Sequence, residues 1–262
     1  MNKLPIPVKE IKCRGLQTAA SGSFLCEEVF PGEIAGLTVE TLGFKGPVKK
    51  DFFAEDNTYF LLLPLEGNGV LHAADKKTAV TGNSLARIPY NKAYAIEVSV
   101  GRELLCLRFS KRLDEKDKND IQSNSVLHEK FYAPKFSDCP AYHEDIKSAK
   151  TISRMLLPEN YIPRFCMGSV ETTGPDLVAA HEHPMLEQLF FGLKNCDAVC
   201  HADGNKGSLR ENTLLHVPLG SNHYVTVEEG KTLSYVWLDF FTSLADQTYM
   251  STQHHIVEPK EK

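Results

Sequence analysis

The chain has 262 residues, of which 42% are apolar and 24% charged, with 29 basic and 34 acidic side chains and a net charge of −5. These proportions suit a globular chain with a real core. The acidic balance, with an isoelectric point near 6.1, argues against nucleic acid or an anionic membrane as partner.

The N-terminus, MNKLPIPVKEIK, carries no apolar leader, and the longest apolar run before a proline, Tyr59 to Leu63, is far below the roughly 20 residues of a membrane span. Seven cysteines, odd in number and without a framework spacing, predict reduced thiols and a cytoplasmic protein. Cys196 and Cys200 stand too far apart for a C-x-x-C pair and are expected to be small core residues.

Short runs of β-branched and aromatic residues then follow one another between Gly, Pro, Asn and Asp. In the first half they are 58–65, 69–74, 84–89, 94–100 and 103–110. In the second they are 187–193, 197–202, 213–218, 223–229 and 232–241. Strands this short and this regularly interrupted predict an antiparallel sandwich or barrel. Helix is expected only at 111–123, as a solvated mixed-charge linker helix or loop, and at 141–157.

The rhythm is a repeat. A shift of 129 residues lays 58–91 on 187–220 without a gap, so that Val70, His72, Ala73, Lys77, Asn83, Leu85 and Pro89 meet Val199, His201, Ala202, Lys206, Asn212, Leu214 and Pro218. A further strand follows in each copy after a small insertion. Two copies of one β unit are predicted, with a division near residue 125.

Chemistry is concentrated in GPDLVAAHEHPMLEQLFFG, residues 174–192, and VPLGSNHYV, residues 217–225. In an extended strand, side chains at even separations share a face, which aligns His181, His183 and Glu187, with Pro184 as a point where the strand could bend. Glu182 and Gln188 have the opposite parity and are expected to face out or to sit behind the ligands. His223 lies on a later strand, beyond the turn at 218–222. Imidazoles and a carboxylate suit divalent first-row metals.

These stretches resemble the cupin signature, whose first motif has the form G-x5-H-x-H-x(3,4)-E-x6-G and whose second has the form G-x5-P-x-G-x2-H-x3-N. The resemblance places His181, His183, Glu187 and His223 in the four ligand slots. Gly174 and Gly192 are displaced from their motif spacings. Asn212 stands where the second motif opens with glycine, and Val227 where it ends with asparagine.

Under the 129-residue shift the ligand positions fall on Phe52, Ala54, Thr58 and Ala93, none able to hold a metal. The resemblance thus implies an all-β chain of two tandem cupin-type jelly-roll barrels. The first, 1–125, lacks ligands and covers the second or mediates homodimer contacts. The second, 126–262, holds one divalent transition metal, whether Mn, Fe, Ni or Zn, with 150–174 as its first strands.

A three-His, one-Glu site leaves positions for a small-molecule substrate. The expected function is Lewis-acid chemistry (isomerase, lyase or hydrolase) on a polyoxygenated sugar, keto-acid or ureido-acid. The alternatives are an iron-dependent dioxygenase, a non-enzymatic metabolite-binding cupin, and a closed, purely structural metal. His216, beside Pro218, is a further candidate near the pocket. His201 and the solvent-facing His254 and His255 are not, and Tyr224, Tyr235 and Trp237 read as core or outer face.

Overall fold

The computed structural model describes residues 6–253, which excludes the pair His254–His255, and its chain divides into two units of strands. One comprises Lys12–Asp138; the other runs from Cys139 onward and also takes in the segment up to Ile11. That segment contains β1 (Val8–Glu10), which pairs antiparallel with β17 (Thr213–Val217).

The Lys12–Asp138 unit holds β2 (Ser23–Val29), β3 (Leu37–Lys45), β4 (Val48–Phe52), β5 (Thr58–Ala73), β6 (Lys76–Thr81), β7 (Ala86–Arg87), β8 (Tyr94–Val98) and β9 (Glu103–Arg112). Sequence reads 58–65 and 69–74 as two strands, but both belong to the single strand β5. Its first part pairs with β9 and β7, its register shifts between Pro64 and Glu66, and its second part pairs with β8 and β6. A strand that changes neighbours at a bulge curls its sheet around a core. That core contains Leu42, Phe44, Phe60, Leu62, Leu71 and Ile96.

The charged stretch after β9 becomes α1 (Glu115–Ser123), capped by Asp114, whose carboxylate accepts from the Lys116 and Asp117 amides. A second helix, α2 (Ser125–Glu129), follows. The contacts part after Asp138 rather than after residue 125 because this connection folds back. Arg87 and Ser84 form β-bridges with Tyr132 and Lys135, and the buried Arg87 guanidinium donates to the Leu127 and Lys130 carbonyls.

The other unit adds β10 (Ala141–Tyr142), β11 (Ile152–Ile162), β12 (Phe165–Thr173), β13 (Asp176–Glu182), β14 (Leu186–Gly192), β15 (Asp197–Ala202), β16 (Asn205–Arg210), β18 (Asn222–Val227) and β19 (Thr232–Phe241). The helix expected over 141–157 is replaced by β10, a loop and β11. Pairing of β11 along β12 overrides the helical preference of its Arg, Met and Leu residues. A helix the periodicity does not announce, α3 (Leu244–Gln253), follows β19.

A seven-stranded sheet, β1-β17-β14-β19-β12-β11-β10, and a four-stranded sheet, β13-β18-β15-β16, share one core. Phe190, Leu215, Val217 and Tyr235 come from the first, and Val178, Cys200, Leu209 and Val225 from the second. Cys196 and Cys200 are buried in that core.

The repeat survives in backbone detail. β6 and β16 occupy identical places under the 129-residue shift. Asn83 and Asn212 share a left-handed conformation, with φ of 56° and 58°. Asparagine tolerates that region better than most residues, so Asn212 keeps the turn for which the motif uses glycine. Gly192 has a different reason. A Cβ there would run into the Arg210 carbonyl oxygen. Gly192→Ala is expected to lower stability by about 1–3 kcal/mol, as overpacking does, measured as a reduced urea midpoint.

Candidate metal centre

Three of the four predicted ligands converge. His181 and His223 lie directly opposite each other in the pairing of β13 with β18, after a register shift between Val178 and His181. His183 sits in the turn that follows β13, where its carbonyl accepts from the Gly220 amide. The imidazole centroids of His181 and His223 are 4.3 Å apart, and His183 lies 4.8 Å from the first and 5.6 Å from the second. One ring nitrogen from each lies within 4.8 Å of the others.

The backbone fixes which nitrogens are presented. Nδ1 of His181 is 2.7 Å from the Ala179 carbonyl oxygen, and Nδ1 of His223 is 3.0 Å from that of Ser221. A carbonyl can only accept, so each Nδ1 carries the proton and each Nε2 keeps its lone pair. Nε2 of His223 is buried without a hydrogen-bond partner. Burial also holds the His223 pKa below its ordinary value, against the opposing Ser221 carbonyl and Asp203. A neutral imidazole with an orphaned, buried lone pair fits a metal ion.

Glu187 is not part of this cluster. Its carboxylate is 2.9 Å from Nε2 of the buried His216, and the pair lies on the opposite side of β14 and β17 from the cavity-lining residues. The parity argument fails at Pro184, because β13 ends at Glu182 and β14 begins in a different sheet at Leu186. Alternation restarts there, and Gln188 turns inward. A four-residue spacing after His183, which the motif allows, lands on Gln188.

Gln188 Nε2 donates to Asp239 at 2.8 Å, and its Oε1 is buried without a partner. The amide oxygen is therefore the inward-facing group where a carboxylate was expected. His216, the further candidate, belongs with Glu187 and does not line the cavity. His201 stacks on Tyr224 at 4.2 Å, away from the cluster.

The three imidazoles open into a cavity of about 380 Å³. Phe190, Tyr235, Trp237 and Phe241 line one part of it. Trp237 lies against the backbone of Gly168, its partner in the β12–β19 register, so only glycine fits beneath the indole. Tyr235 is buried in the core, as its sequence reading has it, and with Trp237 it also lines the cavity.

The polar part carries no sequence signal. It includes Tyr142, Glu144 and Lys147 from the loop and short strand before β11, Glu159 and Asn160 of β11, and Asp239. Burial pushes the Tyr142 hydroxyl well above its ordinary range, so it remains protonated. Lys147 is ion-paired with Glu144 and donates to Ser153 Oγ at 3.1 Å. No motif marks these residues, because they come from a loop docked on β13 by tertiary contacts.

Asp176 holds that loop. Its Oδ2 accepts from Ser148 at 2.6 Å, Thr172 at 2.8 Å and Thr151 at 3.1 Å, and its Oδ1 accepts from the Leu177 amide. The Ala179 amide donates to the Ile146 carbonyl, and Lys147 bridges to Val178.

No family model matches the chain, and no curated protein resembles it in sequence. Solved structures resemble it in fold. A cupin 2 conserved barrel domain protein from Leptotrichia buccalis superposes with a TM-score of 0.63 at 13% identity, covering 92% of this chain and 99% of that one. Protein Ylba from E. coli gives 0.61 at 12%, covering 83% and 82%. An oxalate decarboxylase variant from Bacillus subtilis gives 0.59 at 12%, covering 86% and 74%. The fold is that of cupin barrels, and the histidine cluster can hold a metal.

Burial pushes the Asp176 pKa up, but the hydrogen bonds from Ser148, Thr172, Leu177 and Thr151 outweigh it and hold the carboxyl below its ordinary value. A depressed carboxyl stabilises the fold fully above its unfolded pKa, about 3.9. That contribution is lost as pH falls through the lower folded value. Asp176→Asn should cost about 1–3 kcal/mol at pH 7, as loss of buried hydrogen bonds does. It should also flatten the acid limb below about pH 4, as read by chemical denaturation across pH.

Proposed function

We propose that the chain is a two-barrel cupin enzyme with one divalent metal centre, in the unit that follows Asp138, acting on a small oxygen-rich metabolite. The observation that carries this is the unpartnered Nε2 of His223 beside two further imidazoles, opening into a cavity lined by an ion pair and aromatic rings. His181, His183 and His223 would hold the ion, with the Gln188 amide oxygen as fourth donor. A bound divalent ion supplies Lewis-acid polarisation of a substrate oxygen.

The chain's own groups supply the remainder. Phe190, Tyr235, Trp237 and Phe241 exclude water on one side. The protonated Tyr142 hydroxyl and the Lys147 ammonium can donate hydrogen bonds to substrate oxygens. Asp239 holds the Gln188 amide so that its oxygen, rather than its nitrogen, is left over. Three imidazoles and a neutral amide bring no compensating negative charge to the ion. Glu144 is matched by Lys147, and Glu159 and Asp239 offset the ion from further away, which favours a neutral substrate such as a sugar over a polyanionic one.

The Lys12–Asp138 unit supports the proposal that only one barrel is metallated. Where the other unit has His181, it has Phe52, stacked on Tyr94 at 4.7 Å. Arg108, ion-paired with Glu40 at 2.6 Å, lies 5.1 Å over the Phe52 ring and 5.5 Å over Phe60. An interior filled this way serves packing.

Elemental analysis of tag-free protein should find one divalent ion per chain. His181→Ala, His183→Ala and His223→Ala should each lose it, Gln188→Ala should bind it more weakly, and Glu187→Ala should retain it. Loss of metal in Glu187→Ala with retention in Gln188→Ala would return the carboxylate to the ligand set. Two ions per chain would contradict the single-centre proposal.

A further inference from the structure

Lys147 is costly to place where it is. Its side chain is 5% exposed and that of Glu144 9%. A buried ion pair recovers its desolvation cost only with good geometry and further hydrogen bonds. Lys147 has one further partner, Ser153, and its ammonium lies 5.9 Å from the Tyr142 ring centroid. Both members of the pair line the cavity that receives the three imidazoles.

A pair whose task was only to fasten the loop would be redundant. Asp176, the Ile146–Ala179 hydrogen bond and the Lys147–Val178 backbone bridge already do so.

We propose that Lys147 is the acid–base residue of this cavity: its ε-amino group, held between Glu144 and Ser153, gives and takes a proton at a substrate seated between it and the three imidazoles. This rests on the metal-centre proposal for where the substrate sits. Glu144 is the positioning partner that keeps the amine turned inward and exchanges the proton with it.

The charged and titratable groups around the amine are Glu144 and Tyr142 on its own segment and Asp239 on β19, with Glu159 and the imidazoles elsewhere on the cavity wall. Burial pushes the ammonium down to about 7, against the pull of Asp239. Such an amine is available in both protonation states near neutral pH.

Competitive acetylation tests this on the intact wild-type protein. It is treated with trace acetic anhydride from pH 6 to 10, and each lysine is quantified by peptide mass spectrometry. At pH 7 Lys147 should react roughly tenfold or more faster than the exposed Lys49 and Lys116. Its rate should level off above about pH 8, where the amine is deprotonated. Glu144→Gln should shift the Lys147 profile to lower pH, since the carboxylate stabilises the ammonium.

Lys147→Gln should still bind one metal ion. A Lys147 that reacts no faster than Lys116, or climbs in parallel with it to pH 10, overturns the proposal, because the amine is then sealed or ordinarily basic. An unchanged profile in Glu144→Gln removes Glu144 from its role. Loss of metal from Lys147→Gln would make Lys147 a support of the centre instead. Acetylation needs no metal, so its failure leaves the metal centre standing. Absence of metal alongside fast acetylation would overturn the centre alone.

Discussion

The site depends on two backbone carbonyls. Ala179 and Ser221 each accept a hydrogen bond from the Nδ1 of the histidine two residues further along, and this decides the tautomer of His181 and His223 before any ligand arrives. Free imidazoles would rotate and exchange protons between their nitrogens. Held this way, they present lone pairs to one point. The register of β13 on β18, with its shift between Val178 and His181, brings the two residues opposite each other. Sheet pairing, tautomer and donor geometry are thus one arrangement at three scales.

The same logic sorts the rest of the barrel wall. On β14 and β19, residues of one parity meet the cavity (Gln188, Phe190, Tyr235, Trp237, Asp239), while Glu187, Leu189 and Leu238 occupy the other. A single residue of phase therefore separates a cavity donor from a partner of His216. Phase is set where the chain leaves the four-stranded sheet at Pro184 and enters the seven-stranded one.

That point marks the limit of what the residues alone disclose. Strands such as 197–202 and 232–241 are legible to the residue, because alternation and turn chemistry are local. The three histidines are legible because their spacing is a motif. Glu187 and Gln188 exchange sides because parity does not carry across the turn at Pro184. Tyr142, Glu144 and Lys147 are invisible in the chain because a loop docked by Asp176 brings them in. Residues 152–157 read as helix from their own composition because it is their neighbour β12 that makes them a strand, whereas the motif resemblance already implies strands over 150–174.

The small strand β1 has a bearing on how the chain can be divided. It lies along β17, and Ile6 and Val8 fill the space above Gly207, where a methyl group would meet both of them and Leu215. A fragment starting at Cys139 would look like a self-contained module by residue number. It would nonetheless leave β17 with an unpaired edge and Gly207 beneath an empty apolar notch, a surface prone to pairing with other chains. The module that keeps the histidine centre intact is discontinuous: its first strand is separated from the rest by the whole Lys12–Asp138 unit.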